Sequence, residues 1–589
     1  MKTTEPPRLI IWDLDDTFWR GTLAEEGIIA FIPENHEIVR ELTSRGIMNS
    51  ICSKNDLASA SRVLKDLSLW DYFIFPSIDW TPKAPRIKKI IESTQLRSST
   101  VLFIDDNRRN LAEASEMNPG LQTATPEVLA ELLSLPTFQG KADPSHSRLK
   151  QYKVMESRAH DYEHSRGGVQ EFLRLSDIRV QFDYDVESNL DRAIELISRT
   201  NQLNFTKNRL SSDLESARSE LRSDLRRYNC QSALVSVRDK YGDYGIVGFY
   251  LTHGGYPNLE LKHFCFSCRT LGMGIERWIY DWLGRPSLCV KMPVSIDINS
   301  EPSSDWVTID PPVSAPAHRA GTPEAGAMEV RLRGACEMDA ILHYVRGSAR
   351  SVSIENGRIA HGVHFPTNSV FNLLLGEPAT LAKSAVRLAQ IGIDTSIFET
   401  NFFCQPHSDC TLVFANWFDV YGYHYRERGG DLEFTCYLPN GPSDLTKISE
   451  ESLCDYLERS SLNPSDREWT ARLILGLKDR FDFVPTSIEL MASRLARLLS
   501  LSPAGSNTLV LLPPALVCRE RTLEVSPTVA AFNQAVDAIV GTLAGGRTVD
   551  FGREIKNPED FDDEWSHFSR MVYFRVSGAI NSLLNNGAI

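Results

Sequence analysis

Short apolar runs alternate with segments of helical period over the first part of the chain. Leu9–Trp12 and Val101–Ile104 are continuous apolar runs, and residues 47–52 and 72–75 are further short strand candidates. Runs of this length without polar alternation predict strands buried on both faces. Between them, residues 33–45 place Ile38, Val39 and Leu42 on one helical face and stop at Gly46. Residues 55–67, opened by an asparagine, and residues 84–93 predict two further helices. Strand and helix in alternation predict a parallel sheet with helices on both faces, a Rossmann-like arrangement.

The middle of the chain has a different rhythm. Residues 187–199 have helical spacing at Leu190, Ile194 and Ile197. Residues 232–238, 246–252 and 259–266 predict strands, with the turn Tyr241-Gly242-Asp243-Tyr244-Gly245 between the first two. An amphipathic helix over 275–283 follows. This order predicts an α+β domain. From residue 328 the α/β rhythm returns, with strands at 329–333, 411–415 and 508–512 and helices after them, again predicting a parallel sheet.

Two polar stretches mark seams. Residues 136–150 are broken by Pro and Gly, and residues 309–327 are rich in Pro, Ala and Gly. They divide the chain into domains at 1–140, 145–305 and 328–589, with 309–327 as linker. The length of 589 residues fits three or four domains at about 150 residues each.

Composition narrows the function classes. Lys plus Arg is 63 and Asp plus Glu is 77, a formal charge of −14. That balance argues against nucleic-acid binding, which depends on clustered cations. No apolar run approaches the roughly 18 residues of a membrane span, and the first residues lack a signal-peptide core. Eleven scattered cysteines are expected to be reduced thiols in a cytoplasmic protein.

Parallel sheets bind ligands beyond the carboxyl ends of their strands. There the first segment carries Asp13-Leu14-Asp15-Asp16-Thr17, then Ser53, Lys83 and Asp105-Asp106. A carboxylate can attack phosphorus, other carboxylates can hold Mg²⁺, and Ser and Lys donors can stabilise phosphoryl charge. D-x-D-x-T after a strand, then strand-Ser, Lys and strand-Asp-Asp, resembles the haloacid dehalogenase (HAD) superfamily. The strings IIWDLDDTFWRGTLAEEG, ICSKND, WTPK and VLFIDDNRRN resemble its FkbH-like branch. The resemblance implies Asp13 as nucleophile and Asp15 as general acid/base. It also implies that Ser53 and Lys83 hold the phosphoryl group, with Asp13, Asp15, Asp105 and Asp106 around Mg²⁺. Only 35 residues separate Thr17 from Ser53 and 29 separate Ser53 from Lys83, too few for a lid domain. The domain is therefore expected to be capless, with the second domain as the candidate roof that excludes water.

In the middle segment, Arg269-Thr270-Leu271-Gly272-Met273-Gly274 stands between a strand and a helix. This R-x-x-G-x-G resembles the pyrophosphate loop of GNAT acyltransferases, which implies Arg269, Gly272 and Gly274 as a binding loop for phosphopantetheine or CoA. SRTNQLNFTKNRL, VRDKYGDYGIVGFYLT and FCFSCRTLGMGIE resemble the second half of FkbH-like proteins, so the likeness spans about residues 7–290. It implies a glyceryl unit taken from 1,3-bisphosphoglycerate, dephosphorylated and loaded on an acyl carrier protein through a thiol. Cys268 is the candidate thiol, lowered by a helix N-terminus; its other reading is a core cysteine at a strand end. Cys265 is a second candidate and would share its face only if the strand bulges. His263 is either a base or a structural histidine.

The last segment resembles SGNH hydrolases in order. Cys336 stands where that class has its serine, Asn416 as oxyanion donor, and Glu564 and His567 as the closing acid and base. Its other reading is a non-catalytic binder with Cys336 as a small core residue. The whole reads as a glyceryl transferase/phosphatase of natural-product (polyketide) or saccharide biosynthesis, with a C-terminal domain for further acyl transfer or hydrolysis. The rival classes are a plain Mg²⁺-dependent phosphatase with accessory domains and a carrier-binding interaction protein.

Overall fold

The computed structural model describes residues 5–164, 168–227, 229–255, 258–299, 304–310, 328–406, 409–420, 422–542, 546–562 and 567–585. The first unit runs β1 (Leu9–Trp12), β2 (Trp19–Arg20), β3 (Ala30–Phe31), α1 (Pro33–Ser44), β4 (Met48–Ser53), α2 (Leu57–Asp66), β5 (Ser77–Ile78), α3 (Lys83–Thr94), β6 (Val101–Ile104), α4 (Arg108–Met117) and β7 (Gln122–Ala124). Its main sheet has the order β5-β4-β1-β6-β7, parallel throughout. All four residues of β1 and of β6 are fully buried, as continuous apolar strands between helix layers must be. The chain leaves β1 in one direction for β4 and β5, then returns on the other side for β6 and β7. The switch point therefore lies at the carboxyl ends of β1 and β6.

One expected strand is absent. Residues 70–72 form a 3-10 turn, and Phe73 touches the sheet by a single bridge to Asn49. The next helix removes the rest: α5 (Ser147–His164) sends Lys153 Nζ to the Phe73 carbonyl at 2.6 Å. Its Glu156 accepts the Phe75 N–H at 2.8 Å, and Phe75 turns to φ +45°. The strand resumes only at Ser77.

The stretch at 136–150 is a boundary but not a free linker. Lys141 N and Asp143 N donate to the carbonyls of Arg45 and Ser44, and Arg148 Nη1 reaches the Gly46 carbonyl at 2.8 Å. These contacts of α5 lie at the amino-terminal end of β4 and beside the segment leading to β5. The middle unit is thus fastened at the end of the first sheet opposite Asp13, not over the crevice, and the expectation of a roof from this unit is corrected.

The middle unit continues with α6 (Val169–Arg174), β8 (Ile178–Asp183), α7 (Leu190–Arg199), α8 (Leu214–Arg226), β9 (Cys230–Asp239), β10 (Gly242–His253), β11 (Glu260–Phe266), α9 (Ile275–Trp282) and β12 (Val307–Asp310). The sheet order is β11-β10-β9-β8-β12, antiparallel except for the β8–β12 pair. This is α+β, as expected. The boundary moves: β12 extends the unit to residue 310, past 305 and into the expected linker. Residues 311–327 of that linker lie outside the described residues.

The third unit opens with β13 (Glu329–Gly334), α10 (Glu337–Val345) and β14 (Ser351–Asn356). Further strands at Cys410–Ala415, Asn507–Leu512 and Gly546–Asp550 complete a five-stranded parallel sheet, with β14 at one edge beside β13. Sequence periodicity missed a second, smaller core. Val363, Tyr425, Phe434, Leu473 and Phe481 pack around a three-stranded antiparallel sheet of Tyr423–Glu427, Glu433–Phe434 and Phe481–Pro485.

The helix α10 explains how the last two units join. From Ala340 to Val345 every residue is buried, so the helix has no solvent face. It lies between the third sheet and the middle one, inside one continuous core that includes Phe182, Tyr250, Ile341 and Val576. His343 is buried among Tyr184, Tyr344 and Trp282, its Nε2 3.3 Å from the Tyr250 hydroxyl, and burial pushes its pKa down to about 3. Arg570 crosses the same seam to the Tyr184 carbonyl at 2.6 Å. Phe182 is fully buried here, 4.5 Å from the Trp282 ring centre. Phe182→Ala should cost about 3–5 kcal/mol. Chemical denaturation should then show the middle and C-terminal units losing stability in one shared transition; separate transitions would contradict a common core.

Candidate active site

The first site is built from loops that leave β1, β4 and β6 in parallel. Asp13 follows β1 and is 5% exposed; Asp105 follows β6 and is fully buried. Lys83, at the first position of α3, bridges them: its Nζ lies 2.6 Å from Asp13 Oδ1 and 2.7 Å from Asp105 Oδ2. Burial raises Asp13 to about 6, with Lys83 opposing and Asp105 adding to the rise. The Lys83 ammonium is held above its usual range by the two carboxylates, which together outweigh its own burial. Ser53 also hydrogen-bonds Asp13.

Thr17 of the motif and side chains that the motif reading did not single out fix this geometry. Asn110 Nδ2 donates to both oxygens of Asp105 at 3.1 Å, and Asn107 N donates to Asp105 Oδ1. Thr17 Oγ1 accepts the Asp106 N–H at 3.0 Å. Arg86 grips the Ser53 carbonyl with both terminal nitrogens, at 3.1 and 3.2 Å. Asn55 is not the start of α2, whose cap is Asp56. Instead Asn55 Nδ2 reaches Asp15 Oδ2 at 3.1 Å and Ser53 Oγ at 3.2 Å. The signal was in the strings themselves: polar residues that should be helix caps stand next to the motif acids.

Asp13, Asp105 and Asp106 each offer an oxygen within 4.8 Å of the others. Three hard oxygen donors suit Mg²⁺. Asp15 does not join them through its side chain, which corrects its assignment as a carboxylate ligand. Its Oδ1 accepts Trp19 Nε1 at 2.9 Å and Leu23 N at 3.2 Å, tying it to the β2–β3 hairpin. Gly21 permits that hairpin: φ is +92°, and a Cβ there would meet the Gly27 carbonyl at 2.6 Å. Asp15 stays beside the crevice, available for proton transfer.

The middle loop departs from a pyrophosphate cradle. Arg269 Nη1 donates inward to the Tyr244 carbonyl at 2.8 Å and Nε to Ser267 Oγ. The N–H groups of Thr270, Leu271 and Met273 bond within the loop. A Cβ on Gly274 would strike Ser304 Oγ at 2.6 Å, so internal packing requires that glycine; Gly272 faces open space. Arg269 therefore does not fit the expected phosphopantetheine or CoA contact.

Cys268 opens a 3-10 turn, and α9 begins only at Ile275. The helix end does not reach it, and burial pushes the thiol up, opposed by its own N–H and by Arg8. Arg8 precedes β1 whereas Asp13 follows it, so Cys268 sits by the opposite end of that strand from Asp13. The bulge in the β10–β11 pairing falls between His263 and Leu261, so Cys265 stays on the far face, buried and pushed up to about 12. His263 is buried and pushed down to about 4.

In the third unit the structure brings Cys336 and His567 together, Sγ to Nε2 at 3.4 Å. Asn416 is fully buried at the end of the neighbouring strand, with Nδ2 turned to Met491 Sδ at 3.4 Å; an oxyanion role is not matched by that orientation. Glu564 lies outside the described residues.

No family model matches the chain. A stretch of 130 residues is 25% identical to magnesium-dependent phosphatase 1 of Homo sapiens, covering 19% of this chain and 74% of that protein. Among solved structures, the N-terminal part of BF1531 from Bacteroides fragilis, containing a phosphatase domain complexed with Mg, is 23% identical with a TM-score of 0.21. That match covers 24% of this chain and 42% of the other, less than half its length. The 3-deoxy-D-manno-octulosonate 8-phosphate phosphatase of Moraxella catarrhalis is 13% identical with a TM-score of 0.18, covering 28% and 95%. The sequence similarity to the human protein, with the order of the strand-end residues, supports a HAD-type domain over the N-terminal part of this chain.

Lys83→Met removes the cation between two buried acids. It should destabilise the metal-free protein by about 3–5 kcal/mol. Added Mg²⁺ should restore part of the lost melting temperature; an unchanged melt in the variant would contradict the bridge.

Proposed function

We propose that the N-terminal domain is a Mg²⁺-dependent phosphatase of the HAD type. The observation that carries this reading is Lys83 bridging Asp13 and Asp105, with Asp106 completing an oxygen set at the sheet's switch point. Asp13, Asp105 and Asp106 would hold the ion, which when bound neutralises phosphate oxygens and keeps Asp13 ionised. An Asp13 oxygen attacks phosphorus, and the leaving oxygen takes a proton from Asp15. Asp15 then takes a proton from water, whose oxygen attacks the same phosphorus and frees Asp13 and phosphate. Asn55 and the β2–β3 hairpin aim Asp15, while Ser53 and Lys83 donate to the transferring group.

The finer reading is glyceryl transfer. The substrate would be 1,3-bisphosphoglycerate, its glyceryl unit passing through Cys268 to the phosphopantetheine thiol of an acyl carrier protein. Its support is the order of strings over residues 7–290. The third unit would then move or hydrolyse an acyl group. A second reading, a phosphatase with accessory binding domains, is favoured by one observation: Cys268 stands at the other end of β1 from Asp13, with its thiol raised.

Incubation with 1,3-bisphosphoglycerate and Mg²⁺ separates them. Phosphate release should fall by more than about 10³-fold in Asp13→Asn; release unchanged in that variant would overturn the phosphatase reading. A glyceryl adduct in the intact mass, lost in Cys268→Ala, supports transfer. Release without adduct or carrier loading supports the second reading.

A further inference from the structure

Cys336 caps the amino end of α10 directly after β13, and its residue is exposed. Among the described residues, it is the one cysteine whose sulfur meets an imidazole nitrogen. His567 is not on a free arm. Its carbonyl accepts Asp562 N at 2.9 Å, Ser569 N donates to the Asp560 carbonyl at 2.8 Å, and the next residue, Phe568, is fully buried. The backbone at His567 is therefore tied to Asp562, and that of Ser569 to Asp560.

The surroundings suit a reacting sulfur. Glu337 folds back so that Oε1 accepts Ala335 N at 2.7 Å; burial raises its carboxyl, opposed by the backbone N–H groups and by nearby His567. Gly334 makes room: a Cβ there would meet Glu337 Oε1 at 2.6 Å. Desolvation of the sulfur and the Glu337 charge push the Cys336 thiol up to about 12, and His567 Nε2, 3.4 Å away, is placed to take its proton. On the other side, the Tyr437 hydroxyl is raised by burial and, to a lesser degree, by the Cys336 sulfur. That hydroxyl is 3.3 Å from His364 Nδ1, and His364 lines a cavity of about 670 Å³ with Asn440, Tyr456 and Arg459. The thiol thus neighbours Tyr437, whose hydroxyl partner His364 lines that cavity.

We propose that Cys336 and His567 form a second catalytic centre, distinct from Asp13, that takes an acyl group from a thioester and passes it to water or an alcohol. This deepens the acyl-transfer reading of the third unit and is independent of the phosphatase reading. As Cys336 Sγ bonds the acyl carbon, its proton goes to His567 Nε2. The carbon–sulfur bond of the donor breaks, and the departing sulfur takes that proton. Next the acceptor O–H gives its proton to Nε2 while its oxygen bonds the acyl carbon. The bond to Sγ breaks and Sγ recovers the proton. A thioester is the matched donor because its leaving sulfur departs as readily as Cys336 itself, whereas an alkoxide is a far poorer leaving group.

The test uses the full chain in EDTA with the acetyl thioester of N-acetylcysteamine. Release of free thiol and an acetyl adduct labile to hydroxylamine are expected, with the adduct mapping to Cys336. Both should vanish in Cys336→Ala, and thiol release should fall at least about 10²-fold in His567→Ala, with melting unchanged in each variant. An adduct that persists in Cys336→Ala or maps to Cys268, an unchanged rate in His567→Ala, or no thiol release from the unaltered protein would overturn the proposal. Because EDTA removes the ion the first domain needs, none of these outcomes bears on the phosphatase reading, which stands or falls on phosphate release.

Discussion

Two carboxylates buried side by side cannot both carry charge without a cation between them, and Lys83 is that cation. Its position depends on several features at once. The strands β1 and β6 must be adjacent and parallel so that Asp13 and Asp105 emerge together. The helix α3 must begin at Lys83 itself, so that the side chain leaves the first turn toward the crevice. Arg86, one turn later, fastens the Ser53 loop to the same helix. A single ammonium thus sets the spacing of Asp13, Asp105 and the Ser53 loop.

Much of this was legible in the chain. Continuous apolar runs ending in acids can only be buried parallel strands with their polar ends gathered at one edge. Asp13, Ser53, Lys83 and Asp105 therefore came together as spacing predicted. What stayed hidden were interactions made by α5. Nothing local to residues 72–75 says that Lys153 and Glu156 will capture the backbone groups a strand would have used. The same is true of Arg269: its glycine-rich context reads as a loop for anions, and only the fold shows the guanidinium turned to Tyr244. Cys336 and His567 are 231 positions apart; their pairing was inferred from order, and only the parallel sheet and the turn before the last helix make it geometric. The smaller core around Tyr425 and Phe434 left no clear periodic trace because its strands are short and irregular.

Asp13, Cys268 and Cys336 lie in three different units of the fold. The acids of the first sheet face away from the middle unit, Cys268 lies by the opposite edge, and Cys336 follows β13 in the third unit. Any intermediate shared between them would have to leave one site and diffuse or be carried to the next. An acyl group on a long flexible thiol arm is one physical answer to that separation, and it is compatible with thiols at both later positions.

The buried helix α10 also has a consequence for how such a chain could arise and vary. A helix without a solvent face belongs to neither neighbour alone. If recombination replaced the segment before residue 328 with an unrelated one, α10 would present Ile341, Leu342 and Val345 to a surface that had never matched them. The middle and C-terminal units are therefore expected to be inherited as a pair. The first domain is attached chiefly through one helix, α5, and is the part of the molecule that lineages could exchange.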